Sequence, residues 1–263
     1  SGGVVAPQIL AGTGANVEAI FNAPDGININ LECGATAPTA AAEAVKHANA
    51  DIGFALDGDA DRCVAIDERG EVVDGDQLIG IIALDRLQRG TLGNGLCVVS
   101  VLSNGGLEQA ITDAGGRVAR TQVGDKYILD GMIVMDAALG GEKSGHIIVR
   151  EHAQAGDGIV TALEVLSILA STGKRLSELA AQIPLYPQQQ RTIPVRHKDQ
   201  WEADPSFGQA LDEARRSMDG RGRILVRPSG TEPALRIMVE GESHDDVLRI
   251  ADHLAELAAQ RLN

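Results

Sequence analysis

Residues 57–62 read Asp-Gly-Asp-Ala-Asp-Arg, which places three carboxylates at alternate positions between two short apolar runs. The runs are Ile-Gly-Phe-Ala-Leu at 52–56 and Cys-Val-Ala-Ile at 63–66, and both read as short buried strands. Strands on both sides of so tight a segment make it a turn. Three negative charges in one turn repel one another strongly at the effective dielectric of a protein. A fold that keeps them together places a cation among them. Carboxylate oxygens are hard ligands, so the expected ion is Mg²⁺ or a relative such as Mn²⁺. Mg²⁺ held by a few carboxylates keeps a position for a phosphate, so the turn points to phosphate chemistry.

An EF-hand is the competing reading. Asp57, Asp59 and Asp61 fit its first, third and fifth loop positions, and Glu68 falls at the twelfth. The sixth position, where the loop needs Gly, is Arg62, and the flanks are strand-like rather than helical. A solvated acidic turn is the plainer alternative; clustering three charges between two apolar strands weighs against it.

The chain has 263 residues, a length that suggests about two domains and allows three. Aromatic residues make up only 2%, so the cores must be built from Ala, Val, Ile and Leu. A net charge of −14 argues against non-specific nucleic-acid binding and against an anionic membrane surface. No run approaches the ~18 apolar residues of a membrane span, and no signal peptide is visible. The cysteines, Cys33, Cys63 and Cys97, are odd in number and widely spaced, which fits a reducing cytoplasm better than a disulfide framework.

Helical stretches are expected at 4–13, 37–49, 76–89, 105–113, from 125 and at 157–171. Strands are expected at 52–56, 63–67, 96–101 and 118–121, and 140–149 reads as a Gly-rich loop running into a strand. Asp125 reads as the cap of the helix that follows it. Residues 184–200, with Pro184, Pro187, Pro194 and the run Gln188-Gln189-Gln190, read as a linker or edge strand. Beyond them come a helix at 206–218, strands at 223–227 and 235–240, and a helix at 244–261. The fold class is α/β: mixed-sheet α/β domains, one incomplete and one complete, plus a small C-terminal α+β domain.

Two further segments concentrate chemistry. Arg227-Pro-Ser-Gly-Thr-Glu-Pro233 joins two strands, with Arg236 on the second. A guanidinium, two hydroxyls and the N–H groups of a Gly-bearing turn suit a phosphate dianion; a plain hairpin turn is the alternative. Gly141-Glu-Lys-Ser-Gly-His146 crowds an acid, a base, a hydroxyl and an imidazole into one loop. Such donors and acceptors suit sugar hydroxyls, and His146 can move a proton near neutral pH; ordinary solvated charges and a satisfied loop histidine are the alternative. In Gly124-Asp-Lys-Tyr127, Lys126 is a candidate charge.

The order and spacing of these motifs resemble the α-D-phosphohexomutase family over nearly the whole chain. Supporting stretches are Pro24-Asp-Gly-Ile-Asn-Ile-Asn30, Cys33-Gly-Ala-Thr36, Val73-Asp-Gly-Asp76, Leu102-Ser-Asn-Gly-Gly-Leu-Glu108 and Ala155-Gly-Asp-Gly-Ile159. Within the family, the closest likeness is to the bacterial members that interconvert glucosamine 6-phosphate and glucosamine 1-phosphate. The mannose- and glucose-phosphate branches, or a non-catalytic phosphosugar-binding fragment, are the alternatives. Lys126 and Lys143 depart from the Arg and Gln often found in the glucosamine branch.

The resemblance implies a role for each residue. Asp57, Asp59 and Asp61 would hold Mg²⁺, with Arg62 beside it. Glu142 and Ser144 would bind sugar hydroxyls, with His146 near the reacting end and Lys126 among the catalytic groups. Arg227, Ser229, Gly230, Thr231 and Arg236 would hold the phosphate that is not transferred, on a phosphorylated hexose or hexosamine. The resemblance divides the chain at 1–71, 72–183 and 184–263, as the latter part of the family's second domain followed by its third and fourth. The family's Thr-Ala-Ser-His-Asn-Pro type phosphoserine loop has no counterpart here, so the chain alone is expected to lack mutase activity. A second copy of the chain is a candidate partner through an open sheet edge.

Overall fold

The computed structural model describes residues 2–218 and 220–262; Ser1, Asp219 and Asn263 lie outside the described residues. The chain divides into two compact units, Ser1–Pro184 and Leu185–Asn263.

The first unit opens with α1 (Gly2–Gly12), a long irregular stretch and α2 (Thr39–Ala48). Then β1 (Gly53–Leu56) and β2 (Cys63–Ile66) pair antiparallel, Leu56 opposite Cys63, so the acidic segment is the turn of a hairpin. A two-residue strand, β3 (Val72–Val73), lines the other side of β2. All four residues of β2 are buried because successive side chains enter different cores. Val64 and Ile66 pack with Val45 and Ala55, whereas Ala65 joins the larger core with Leu78, Ile79 and Ile82.

Next come α3 (Gly75–Gln88), β4 (Leu96–Ser100), α4 (Gly105–Asp113), β5 (Arg117–Thr121), α5 (Asp125–Val134), β6 (Leu139–Gly141), β7 (Ile147–Val149), α6 (Gly158–Thr172) and α7 (Leu176–Ala180). Their sheet runs β5-β4-β6-β7, with β4 parallel to β5 and β6, and β7 antiparallel to β6. The central strand β4 is fully buried and divides its side chains as β2 does. Cys97 and Val99 enter one core, and Leu96 and Val98 enter the other with Ile128 and Met132.

Local chemistry sets the helix ends. The Asp74, Asn104 and Asp157 side chains accept backbone N–H groups at the starts of α3, α4 and α6, and Gly173 ends α6 at φ 66°.

The second unit contains β8 (Gln188–Pro194), α8 (Pro205–Met218), β9 (Gly222–Pro228), β10 (Ala234–Gly241) and α9 (His244–Arg261). Its sheet runs β8-β10-β9, all antiparallel, over a core that includes Phe207, Leu235, Val239, Val247 and Leu254. The Pro- and Gln-rich segment becomes an edge strand, the position where a proline's missing donor costs least.

Two expectations need correction. Residues 140–149 form a complete hairpin, β6–β7, rather than a loop and one strand. A three-residue strand holding two glycines carries too little apolar pattern to stand out. Asp125 is not the cap of α5. Gly124 occupies that position at φ 130°, a conformation that favours glycine, and the Asp125 carboxylate accepts the N–H of Lys126 instead. Among the described residues, no helix is long and apolar enough to cross a membrane.

Candidate functional site

The acidic turn is tied across its base. Arg62 donates its N–H to Asp57 Oδ1 at 3.2 Å, and Asp57 returns its own N–H to the Arg62 carbonyl at 3.4 Å. Ala60 takes φ 66°, a left-handed conformation uncommon outside glycine, which marks local strain of the kind found at functional turns. One carboxylate oxygen from each of Asp57, Asp59 and Asp61 lies within 4.8 Å of the others.

The charges in this turn are unbalanced. Burial pushes the Asp57 carboxyl up, and Asp61 and Asp59 push it further against the bond from Arg62. Burial also raises Asp61, but hydrogen bonds with Asp57 and His146 and the charges of His146 and Arg62 outweigh it and hold that carboxyl low. The two carboxyls are thus shifted in opposite directions, Asp57 up and Asp61 down, as close carboxyls that interact directly are. Arg62 Nε stands 3.6 Å from Asp57 and 3.8 Å from Asp61, too far for good hydrogen bonds. Asp61 Oδ1 is buried with no hydrogen-bond partner among the described residues. Three hard oxygen donors and an orphaned carboxylate oxygen fit a divalent cation. An EF-hand does not fit: the flanks are strands, and Glu68 is taken up by the Ser177 hydroxyl and N–H.

The turn of the β6–β7 hairpin carries Glu142, Lys143, Ser144 and His146, and it docks on the acidic turn. Cys63 donates its N–H to the Gly145 carbonyl at 3.0 Å, Arg62 and His146 form a backbone bridge, and His146 Nδ1 lies 3.0 Å from Asp61 Oδ2. From the other side the hairpin rests on the start of α3. Gly75 donates its N–H to the Lys143 carbonyl, and a Cβ on Gly75 would stand 2.2 Å from the Glu142 carbonyl. Lys143 Nζ reaches Asp74 at 3.9 Å. Glu142 Oε1 accepts the N–H of Gly124 at 3.0 Å, which brings the first turn of α5, with exposed Lys126, to the same hairpin. Ser144 is exposed. The first unit therefore gathers Asp57, Asp59, Asp61, Arg62, Glu142, Ser144 and His146, with Lys126 next to them in the chain fold.

The remaining expected site residues lie in the second unit. Arg227 and Arg236 are directly opposite one another on β9 and β10. Like charges in that register repel. Burial, and then Arg236, pull the Arg227 guanidinium down from its usual value. Arg236 pairs with Glu232 at 3.2 Å, whereas Arg227 makes no salt bridge among the described residues. Ser229, Gly230 and Thr231 form the turn between the strands: Ser229 is buried, and Gly230 and Thr231 face solvent. Lys198 Nζ donates to the Ser229 carbonyl at 2.6 Å and to the Glu232 carbonyl at 3.3 Å.

Sequence reasoning assigned no role to Lys198, Gly124, Asp74, Gly75 or Gly156, which tie these loops from behind. Asp74, Gly75 and Gly156 lie in stretches already noted as family-like, and that was the available signal. Lys198 stands in an exposed polar segment and carries none.

Comparison with known proteins accounts for nearly the whole chain. Family models of phosphoglucomutase/phosphomannomutase match as alpha/beta/alpha domain II over residues 1–70, alpha/beta/alpha domain III over 74–186 and C-terminal domain over 192–257. The phosphoglucosamine mutase of Moorella thermoacetica is 48% identical over 255 residues, covering 97% of this chain and 57% of that protein. That of Symbiobacterium thermophilum is 46% identical over 258 residues, covering 98% of this chain and 58% of that protein. The chain thus spans less than two thirds of these relatives. A crystal structure of Aspergillus fumigatus N-acetylphosphoglucosamine mutase in complex with GlcNAc-6P and magnesium shares the fold. It matches with a TM-score of 0.79 at 23% identity, covering 100% of this chain and 60% of that one. A phosphoglucomutase/phosphomannomutase family protein from Burkholderia thailandensis matches with a TM-score of 0.77 at 22% identity, covering 98% of this chain and 58% of that one.

Proposed function

Because the chain belongs to the phosphoglucomutase/phosphomannomutase family, we propose that it is the metal-, sugar- and phosphate-binding part of a phosphoglucosamine mutase. The intact enzyme interconverts glucosamine 6-phosphate and glucosamine 1-phosphate through a bisphosphorylated intermediate. The observation that carries this reading is the docking of the acidic turn on the Gly-Glu-Lys-Ser-Gly-His hairpin, through Cys63 to Gly145 and His146 to Asp61. It sets a cation-binding group directly beside donors and acceptors suited to sugar hydroxyls. Identity of 48% and 46% with phosphoglucosamine mutases supports the glucosamine branch.

Asp57, Asp59 and Asp61 would hold Mg²⁺, and the ion when bound would supply positive charge to stabilise a phosphoryl group. Arg62 contributes a second positive charge at the same place. Glu142, oriented by the N–H of Gly124, accepts a sugar hydroxyl with its remaining oxygen lone pairs, and Ser144 adds a hydroxyl at the exposed tip. Lys126 supplies positive charge at the first turn of α5. In the second unit, Arg227, Ser229, Gly230, Thr231 and Arg236 take the phosphate that is not transferred. Holding that end fixes the sugar's orientation, and orientation supplies much of the rate in phosphoryl transfer. No phosphoserine loop of the family's kind occurs among these residues, so the chain by itself binds phosphosugar without turning it over.

The test is calorimetric titration of glucosamine 6-phosphate into this chain with Mg²⁺, beside an Arg227→Ala variant. Binding that the substitution abolishes supports the reading. Absence of binding in both, or tighter binding of mannose or glucose 6-phosphate, contradicts it.

A further inference from the structure

The turn that joins β9 to β10 has its carbonyls gathered by donors on the protein. The Ser229 carbonyl accepts Lys198 Nζ at 2.6 Å, and the Glu232 carbonyl accepts the same ammonium at 3.3 Å. The Pro233 carbonyl takes the N–H of Val195 at 3.0 Å, and the Ala234 carbonyl takes that of Ser229 at 2.8 Å. The N–H groups of Gly230, Thr231 and Glu232 make no hydrogen bond among the described residues, and all three residues are exposed. Peptide planarity joins these two observations. In a trans peptide the Ser229 carbonyl and the Gly230 N–H point in opposite directions. An ammonium that fixes the carbonyl therefore fixes the N–H as well, aimed away from the lysine. It also polarises that peptide and strengthens its donor. The segment carrying Lys198 is itself anchored. Val195 is bonded to the turn, the His197 N–H donates to the Leu262 carbonyl at 3.1 Å, and Trp201 meets Phe207 edge-on with ring centroids 6.2 Å apart.

We propose that Lys198 is a positioning residue for the anion-binding turn: it holds the Ser229 and Glu232 carbonyls and so presents the Gly230 N–H to a phosphate dianion. The inference rests on the reading that Arg227, Ser229, Gly230, Thr231 and Arg236 take the phosphate that is not transferred. It adds a group from outside the strand pair, one that acts through the backbone rather than by touching the ligand. Two of the three ammonium protons are committed to the turn. Without Lys198 the Ser229–Gly230 peptide loses the contact that fixes its plane, and a phosphate has to order it on binding, at a cost in affinity. Arg227 and Arg236 still supply charge, so the loss is partial.

The experiment is a titration of this chain with inorganic phosphate at constant ionic strength, followed by the backbone amide resonances of Gly230 and Thr231, in wild type, Lys198→Met and Lys198→Arg. Met keeps an apolar stem and loses the donors, whereas Arg keeps both charge and donors. The expected result is a loss of affinity on the order of 10-fold in K198M, with K198R staying within ~3-fold of wild type. The ratio between wild type and K198M should hold at ~1 M chloride, where through-space charge effects are screened within about 3 Å. Equal affinity in wild type and K198M, equal loss in both variants, or a ratio that collapses in high salt overturns the proposal. If the wild-type amides do not respond to phosphate, the phosphate reading of the turn itself fails, and this is distinct from a turn that binds phosphate but is indifferent to Lys198. The Lys198 ammonium of the wild type needs no variant to fold. Held on two carbonyls, it is expected to give a ¹H–¹⁵N resonance at neutral pH, where freely solvated ammonium protons exchange too fast to be seen; absence of that resonance overturns the proposal.

Discussion

Cys63 donates its N–H to the carbonyl of Gly145 at 3.0 Å, and the same glycine has no room for a side chain, since a Cβ would stand 2.2 Å from the Cys63 carbonyl. Gly145 also sits at φ +92°. The contact between the acidic turn and the β6–β7 hairpin thus depends on the absence of one carbon atom. Gly145→Ala is expected to lower stability by about 1–3 kcal/mol from the strained backbone alone, and to weaken Mn²⁺ binding as Asp61 and His146 move apart. Urea melts and metal titration of the same variant check this; an unchanged midpoint with unchanged affinity contradicts it.

Cation affinity should depend on pH through Asp57. Its carboxyl is pushed up by burial and then by its neighbours, so it holds a proton above the usual carboxylate range, and a cation must displace that proton. Affinity therefore rises as pH climbs through this raised value and levels off above it. Asp57→Asn should bind on the order of tenfold more weakly or worse, with a flatter pH dependence. Mg²⁺ calorimetry at mildly acidic and mildly basic pH decides the point; a wild-type affinity independent of pH would sink the idea.

Asp76 is fully buried, and its carboxyl is raised from 3.8 to about 6 by burial, then by Asp74, against bonds from Asn104 and Ser103. The sign follows from linkage: the folded state binds this proton more tightly than the unfolded chain. The contribution is complete below the unfolded value and is lost as pH rises through about 6. Stability should fall across that window. Asp76→Asn should flatten the fall and raise stability near neutrality by about 2–3 kcal/mol, because an amide oxygen still accepts the Asn104 N–H. Denaturant melts across the pH range test it, and a variant less stable than wild type near neutrality is the contrary outcome.

Arg227 faces Arg236 across the strand pair and has no ion-pair partner among the described residues. Arg227→Ala should therefore leave stability unchanged or raise it by about 0.2–1 kcal/mol. Phosphosugar affinity should fall on the order of 10- to 100-fold. Thermal melting and calorimetry measure the two separately. A marked loss of stability would mean that Arg227 serves the fold rather than an anion.

Much of the fold was legible because its elements announce themselves locally. The helix α6 carries an Asp cap at its start and a Gly at its end, and β2 and β4 are continuous apolar runs buried on both faces. What escaped was short or anonymous. β6 has two glycines in three residues, and α7 has five residues, too few for a period to show. Asp125 reads as a cap because its residue type suits one. The cap is Gly124 because the backbone there needs a positive φ, and sequence spacing does not register that need.

The candidate site divides in the same way. The three Asp residues and the turn between two strands can be read from residues 52–66 alone, because charge clustering and apolar flanks are local properties. The tertiary structure decided what stands behind them: Gly156 under the His146 ring, Gly75 under the Glu142 carbonyl, and the Gly124 N–H on Glu142. These contacts join residues far apart in the chain, and each depends on a missing Cβ or a single backbone N–H. A sequence by itself determines which chemical groups are present and how they repeat. Only the packed chain decides which atoms come within 3 Å of one another, because that distance is set by the summed path of every element between them.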